Sequence, residues 1–182
     1  AAQILSGSKL NKKVKDIKRF LVFIGGNDKN NNAKRIIEEL DKTISGKEFL
    51  WVTKKIEKKE IFLSKNTLQI LTLQRDISSI LNNVDAVICG GGLMKYDSGF
   101  SLLPCGSISQ TIDQEIDSKI CDSKNLICNF GMHNEITNNH LKESIMKFLD
   151  NSYQIKLKQA QVEEYYTDSN NILAKEIISF CQ

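Results

Sequence analysis

Apolar and polar positions along this chain fall into short alternating blocks. The first block is the apolar run 20–24, Phe-Leu-Val-Phe-Ile, opened by Arg19 and closed by Gly25 and Gly26. A run too short for a helix and ended by glycine predicts a strand buried on both faces. The polar tract 27–32, Asn-Asp-Lys-Asn-Asn-Asn, follows with residue types that cap helices and tolerate turns. Ile36, Ile37, Leu40 and Ile44 then recur at helical spacing and predict a helix over 33–44.

The same unit repeats with variations. Strands are predicted over 49–52, 68–73 and 86–89, more weakly over 105–109, and again over 126–128. Between and after them the apolar spacing predicts helices over 75–81, 93–103, 114–121, 138–149, 153–166 and 171–180, with Asp76 as candidate cap of the first. The charged segment 54–60 reads as a loop. The first 17 residues have no sustained period and many lysines, so the expected organisation is a linker, 1–17, leading into a single domain, 18–182. Strands alternating with helices imply an α/β Rossmann-like domain of three layers: a mostly parallel sheet covered on both faces, joined by right-handed crossovers. In such sheets ligands sit at the carboxyl ends of the strands, where both Gly-Gly sequences fall.

The stretch 85–104, DAVICGGGLMKYDSGFSLLP, carries the most chemistry. A strand ends in Gly90, Gly91 and Gly92, and a helix begins that must stop at Pro104, the only proline. Without a Cβ the turn lets a ligand approach the backbone, and the unpaired amides of a helix start favour an anion such as a phosphate. On the glycines alone, a tight strand-to-helix connection explains the turn equally well. Asp97, one turn into the helix, is placed to accept hydroxyl groups of the same ligand.

Composition narrows the class. The 182 residues suffice for one domain with a real core, and 41% hydrophobic and 26% charged residues are ordinary for a globular protein. No apolar run approaches the roughly 20 residues of a membrane helix, and the start has no apolar segment of a secretion signal; the expectation is a cytoplasmic protein without membrane insertion. A net charge of +3, with lysines interleaved among acids, is no nucleic-acid footprint. The five cysteines form no CxxC pair and no zinc spacing, and read as buried reduced thiols. No metal and no cofactor is expected.

These residues resemble the C-terminal half of the UDP-sugar hydrolases of pseudaminic acid biosynthesis, related to the peptidoglycan N-acetylglucosaminyl transferase and other GT-B proteins. The family pattern is a strand ending in Gly-Gly, a short turn into a helix, A-D-L-x-I-x-x-G-G-S-T-T-W-E, L-G-x-P and E-N-Q. Here those places hold Phe23-Ile24-Gly25-Gly26, then Gln74-Arg75-Asp76-Ile77, Val84 to Asp97, Leu102-Leu103-Pro104 and Ile112-Asp113-Gln114, with no gap from Val84 to Gln114.

The resemblance implies the C-terminal half of a GT-B fold that binds UDP or a UDP-sugar. In it the backbone after Gly91 and Gly92 holds the diphosphate and Asp97 takes the ribose hydroxyls. The backbone at Asp76 and Ile77 takes the uracil, and Gln114 reaches toward the sugar or phosphate. Three positions depart from the pattern: Ser-Thr-Thr is Leu93-Met94-Lys95, where Lys95 offers a charge in place of hydroxyls, Glu is Asp97, and the Glu of E-N-Q is Ile112. The family's catalytic histidine lies in an N-terminal domain, and neither His133 nor His140 fits that role, so a partner domain is implied and no catalytic residue is expected in this chain. The departures equally suit a degenerate, non-catalytic domain fused to a sugar-nucleotide enzyme, such as a cytidylyltransferase, and serving interaction or oligomerisation. A dinucleotide site is the weakest reading, since no G-x-G-x-x-G follows the first strand.

Overall fold

The computed structural model describes residues 16–26, 28, 30–54, 61–73, 76–165 and 178–179. Six strands, β1 (Arg19–Phe23), β2 (Glu48–Thr53), β3 (Thr67–Thr72), β4 (Ala86–Gly90), β5 (Cys105–Ser109) and β6 (Cys128–Met132), form one sheet in the order β3-β2-β1-β4-β5-β6. Every pairing is parallel. The helices are α1 (Asn32–Thr43), α2 (Ser78–Leu81), α3 (Met94–Phe100), α4 (Ile112–Ser123), α5 (Asn138–Leu149) and α6 (Asn151–Tyr165). The expected Rossmann-like α/β architecture is the one observed.

Alternation along the strands sorts side chains into two cores. From β1, Phe20 and Val22 join Phe49, Trp51, Ala86 and Ile88 on one face, beneath Ile36, Ile37 and Leu40 of α1 and Leu141, Ile145 and Phe148 of α5. Leu21 of the same strand joins Leu50, Val52, Val87 and Cys89 on the other, beneath Leu81 of α2, Met94 of α3 and Cys121 of α4. Each such large side chain, fully buried, stabilises the fold by about 1.5–3 kcal/mol relative to exposure. Burial on both faces is why β1 and β4 read as unbroken apolar runs. Ile17, at the end of the expected linker, is also buried in the first core.

Helix α6 passes from one layer to the other. Leu157 packs in the first core, while Ala160 and Tyr165 pack against the second. The fully buried Gln161 donates through Nε2 to the carbonyls of Leu103, at 3.1 Å, and Leu126, at 2.9 Å, which lie in the segments entering β5 and β6. Among the described residues no helix is long and apolar enough to cross a membrane.

Several boundaries differ from the pattern-based ones. The last strand is Cys128–Met132 rather than 126–128: Leu126 and Ile127 are buried as the chain enters the sheet, so their hydrophobicity marks the core and not the ladder. A register shift between Ser107 and Ile108 lets Phe130 lie under Gly106, where a Cβ would come within 2.4 Å of the Phe130 ring. Helix α3 ends at Phe100 and not at 103, because Leu102 adopts a left-handed φ of 53° and the Leu102 and Leu103 amides bond back to Gly99 and Ser98. Helix α2 starts at Ser78, after Asp76 rather than at 75. The loop expected over 54–60 and the helix over 171–180 fall largely outside the described residues, as does Cys181. Cys89, Cys105, Cys121 and Cys128 are free and buried.

Candidate functional site

The sheet reverses its strand order at β1, with β2 and β3 to one side and β4 to β6 to the other. The crevice beyond the carboxyl ends of β1 and β4 is therefore the switch point at which open α/β sheets take ligands. Gly25 and Gly26 follow β1 there, and Gly91 and Gly92 follow β4.

The glycines of this crevice do different things. Gly25 has φ +108°, a conformation that side chains other than glycine strain to adopt. A Cβ on Gly26 would lie 2.9 Å from Lys54 Cε, which places the Lys54 side chain beside the β1 turn. Gly90 abuts β1 so closely that a Cβ would meet the Ile24 carbonyl oxygen at 2.4 Å. Gly91 abuts α4, its Cβ position being 2.8 Å from Gln114 Cβ. Packing accounts for these two. Gly92 alone of the three faces open space, with nothing within 4 Å of a Cβ built on it.

Open space at Gly92 coincides with an uncapped helix. Asp28 accepts from the Asn32 and Ala33 amides at the start of α1, and Asp76 from Ser78 at α2. Thr111 accepts from Gln114 at α4, Thr137 from His140 at α5, and Asp150 from Tyr153 at α6. Helix α3 has no side-chain cap; Leu93, at its cap position, is 80% exposed and has no acceptor to offer. The first amides of α3 thus lack both an intrahelical partner and a side-chain one, and they point into the crevice end of β4.

Gln110 and Gln114 tie the turns together. Gln110 Nε2 donates to the Ile24 carbonyl at 2.7 Å, and the Gln110 amide donates to Gln114 Oε1 at 2.9 Å. The structure therefore gathers Gly25, Gly90 and Gln114 around Gln110, a residue the sequence patterns did not single out. Its signal was positional: it is the first residue past β5, on the same sheet edge as the glycines.

The other predicted residues are distributed as follows. Asp97 is exposed on α3, and its carboxylate has no hydrogen-bonding or ionic partner among the described residues. Met94 is buried in the second core. Lys95 is only 1% exposed: its ammonium bonds the Gly91 carbonyl and lies 2.7 Å from Asp117 Oδ2 of α4, so its charge is turned inward beneath the turn. Tyr96 bonds the same carboxylate at 2.8 Å. Burial acts to raise the Asp117 pKa, but the bonds from Lys95 and Tyr96 outweigh it and hold the carboxyl below its ordinary value. Asp76 and Ile77 stand at the start of α2 on the same sheet edge; the Asp76 carboxylate caps Ser78, which lowers its pKa, and Ile77 packs against the core that contains Met94. Gln74 and Arg75 lie outside the described residues. His133 follows β6 with Nε2 at 3.5 Å from Asn30 Nδ2, and His140 is exposed on α5.

No family model and no curated protein matches the chain. Solved structures do. The Acinetobacter baumannii MurG structure aligns with a TM-score of 0.68 over 91% of this chain and 50% of its own, at 11% identity. A glycotransferase of kitacinnamycin aligns at 0.67 over 90% of this chain and 43% of its own, at 15% identity. WaaG, a glycosyltransferase involved in lipopolysaccharide biosynthesis, aligns at 0.61 over 85% and 44%, at 11% identity. The fold is a Rossmann-like α/β domain, similar to one half of the GT-B glycosyltransferase fold. The chain spans about half the length of each of these structures.

Proposed function

We propose that this chain is the nucleotide-sugar-binding, C-terminal half of a GT-B-type enzyme, and that it takes a uridine diphosphate sugar. The observation that carries the reading is the start of α3, the one helix start among the described residues at which no side chain accepts from the first amides, opening over Gly92 at the switch point of the sheet. A diphosphate is the complement of such a start: it accepts from the free amides of Leu93 and Met94 and sits at the positive end of the helix dipole. The structures that align with this chain include a spinosyn rhamnosyltransferase complexed with thymidine diphosphate, at 14% identity and a TM-score of 0.56.

In this reading Asp97 accepts from the ribose hydroxyls, the backbone at Asp76 and Ile77 meets the base, and Gln114 meets the sugar or the phosphate. Gln114 is already oriented, since its Oε1 accepts from the Gln110 amide, which leaves its NH2 as the donor. Lys54, beside Gly26, supplies the nearby positive charge that Lys95 keeps for Asp117. The reaction is hydrolysis or glycosyl transfer: water or an acceptor hydroxyl attacks the anomeric carbon, the bond from that carbon to the diphosphate oxygen breaks, and UDP leaves with its charge stabilised by the α3 amides. The base that takes the nucleophile's proton belongs to a partner domain. The process served is cytoplasmic assembly of surface polysaccharide or nonulosonic acid.

One observation favours the second reading, a non-catalytic interaction module. Leu93 and Ile112, which stand where the resembled family has Ser and Glu, are 80% and 70% exposed. Thermal unfolding with and without millimolar UDP, CDP and ADP, on the wild type and on Asp97→Ala, separates the two. A ligand at 100 times its Kd adds about 2.7 kcal/mol, a shift of several degrees in Tm. Stabilisation by UDP that Asp97→Ala abolishes supports the enzyme half; no shift with any nucleotide overturns it in favour of the module.

A further inference from the structure

The peptide between Gly91 and Gly92 has a glycine on each side, so no Cβ fixes its orientation and it can turn either way at little cost. In the structure it is held one way. The Lys95 ammonium, one helical turn further on, donates to the Gly91 carbonyl. The ammonium is itself fixed from two other sides: Asp117 Oδ2 of α4 lies at 2.7 Å, and the centroid of the Tyr96 ring at 5.3 Å. The Lys95 side chain is buried, so its bond to Gly91 runs through the interior and not across the crevice.

The peptide is trans and planar, so its C=O and N–H point in opposite directions. Drawing the Gly91 carbonyl inward therefore turns the Gly92 N–H outward, away from Lys95. Gly92 lies past the end of β4 and before the start of α3, so neither ladder nor helix takes this proton, and the amide donates to no group among the described residues. The position a Cβ would occupy on the same residue is open as well. An unpaired main-chain donor beside open space, at the switch point of the sheet, is a place for an acceptor from outside the chain.

We propose that Lys95 is a positioning residue of the nucleotide site: it holds the Gly91–Gly92 peptide so that the Gly92 amide joins those of Leu93 and Met94 as a donor to the diphosphate. The inference rests on the nucleotide reading and deepens it. Lys95 does not touch the ligand, and its charge is countered by Asp117, so what it gives the site is an orientation rather than a charge. Where the resembled family has hydroxyl side chains after its glycines, this chain aims a main-chain donor instead.

The experiment is an NMR titration of the 15N-labelled 182-residue chain with uridine, UDP and inorganic pyrophosphate, for the wild type, Lys95→Met, Asp117→Asn and the double variant. In the wild type UDP should bind more tightly than uridine, and pyrophosphate should move the Gly92 amide proton downfield. A hydrogen bond to a charged group is worth about tenfold or more in Kd, so Lys95→Met should lose about that much UDP affinity while uridine affinity stays within about twofold. Asp117→Asn, the less stable of the single variants, leaves Lys95 on the Gly91 carbonyl and should keep the preference for UDP, which a loss through general destabilisation would not allow. The double variant has the net charge of the wild type and should bind UDP as weakly as Lys95→Met. Recovery there would assign the effect to charge and overturn the proposal. So would a Lys95→Met chain that keeps its preference for UDP, or a Gly92 amide that pyrophosphate leaves in place, a readout that needs only the wild type. A wild type that binds UDP no more tightly than uridine overturns the nucleotide reading, and this inference with it.

Discussion

Gly90 stands against Ile24 at the meeting of β4 and β1, where a Cβ on Gly90 would lie 2.4 Å from the Ile24 carbonyl oxygen. The obstacle is main chain fixed in the central strand pair, not a side chain that can swing away. Two positions on, Gly92 has nothing within 4 Å. Adjacent glycines in one motif thus carry opposite constraints, one from packing and one from the space left for a ligand.

The first prediction separates them. Gly90→Ala forces the strands apart and should cost about 1–3 kcal/mol in denaturant unfolding, as overpacking does. Gly92→Ala should leave unfolding within about 0.5 kcal/mol of wild type while abolishing stabilisation by UDP, because its methyl group enters the space proposed for the diphosphate. Equal loss of stability in the two variants would show that Gly92, too, is there for the fold.

The contrast between these glycines marks how far the sequence could be read. Apolar runs ended by Gly-Gly placed β1 and β4 and their shared edge, because burial on both faces leaves an unambiguous pattern. Gly90, Gly91 and Gly92 are identical as letters, and only the neighbours supplied by β1 and α4 distinguish them. Lys95 was misleading for a related reason: a lysine after a glycine turn reads as a phosphate contact, and the carboxylate that draws it inward lies 22 positions later, on another helix. The strand over 128–132 was displaced from 126–128 because Leu126 and Ile127 satisfy the hydrophobic signal before the ladder begins.

Lys95 and Asp117 supply the second prediction. Asp117→Asn leaves the buried ammonium with the Gly91 carbonyl but no counter-charge, and takes the carboxylate from Tyr96 as well. Removing one partner of a buried pair costs about 3–5 kcal/mol, and the Asp117 side chain is 42% exposed, so the expected loss is smaller, roughly 1–3 kcal/mol. Lys95→Met keeps the stem, removes the charge and should cost less. The double variant should resemble Lys95→Met alone; unfolding of all three completes the cycle.

Acid sensitivity gives the third. Asp41, buried at the end of α1, accepts from the Ser64 amide at 2.9 Å, the Lys65 amide at 3.2 Å and Asn66 Nδ2 at 2.8 Å. Burial pushes its pKa up, and these bonds more than offset that and hold it below the ordinary value. A carboxyl depressed in the fold contributes stability that is fully present above its unfolded pKa of about 4 and is lost as pH falls through the folded value. Unfolding free energy should therefore be flat from pH 7 to about 5 and drop below about 4. In Asp41→Asn that drop should be shallower, with lower stability at pH 7.

The last prediction reverses a rule. Glycine within a helix normally costs about 1 kcal/mol relative to alanine, so Gly→Ala in a helix should stabilise. Gly99 lies inside α3, but a Cβ there would come within 2.2 Å of the Tyr165 ring, which packs on Phe100 with centroids 4.9 Å apart. Gly99→Ala should accordingly destabilise the chain, by roughly 1–3 kcal/mol, as it drives the ring off α3 and loosens the seat of α6. Tyr165→Ala should be destabilising too, through lost aromatic burial. In the Tyr165→Ala background the obstacle is gone, and Gly99→Ala should then stabilise by the ordinary helix increment. The sign of that substitution, measured in both backgrounds by denaturant unfolding, tests whether α6 docks on α3 through this one contact. A Gly99→Ala effect unchanged by Tyr165→Ala would place the constraint elsewhere on the helix.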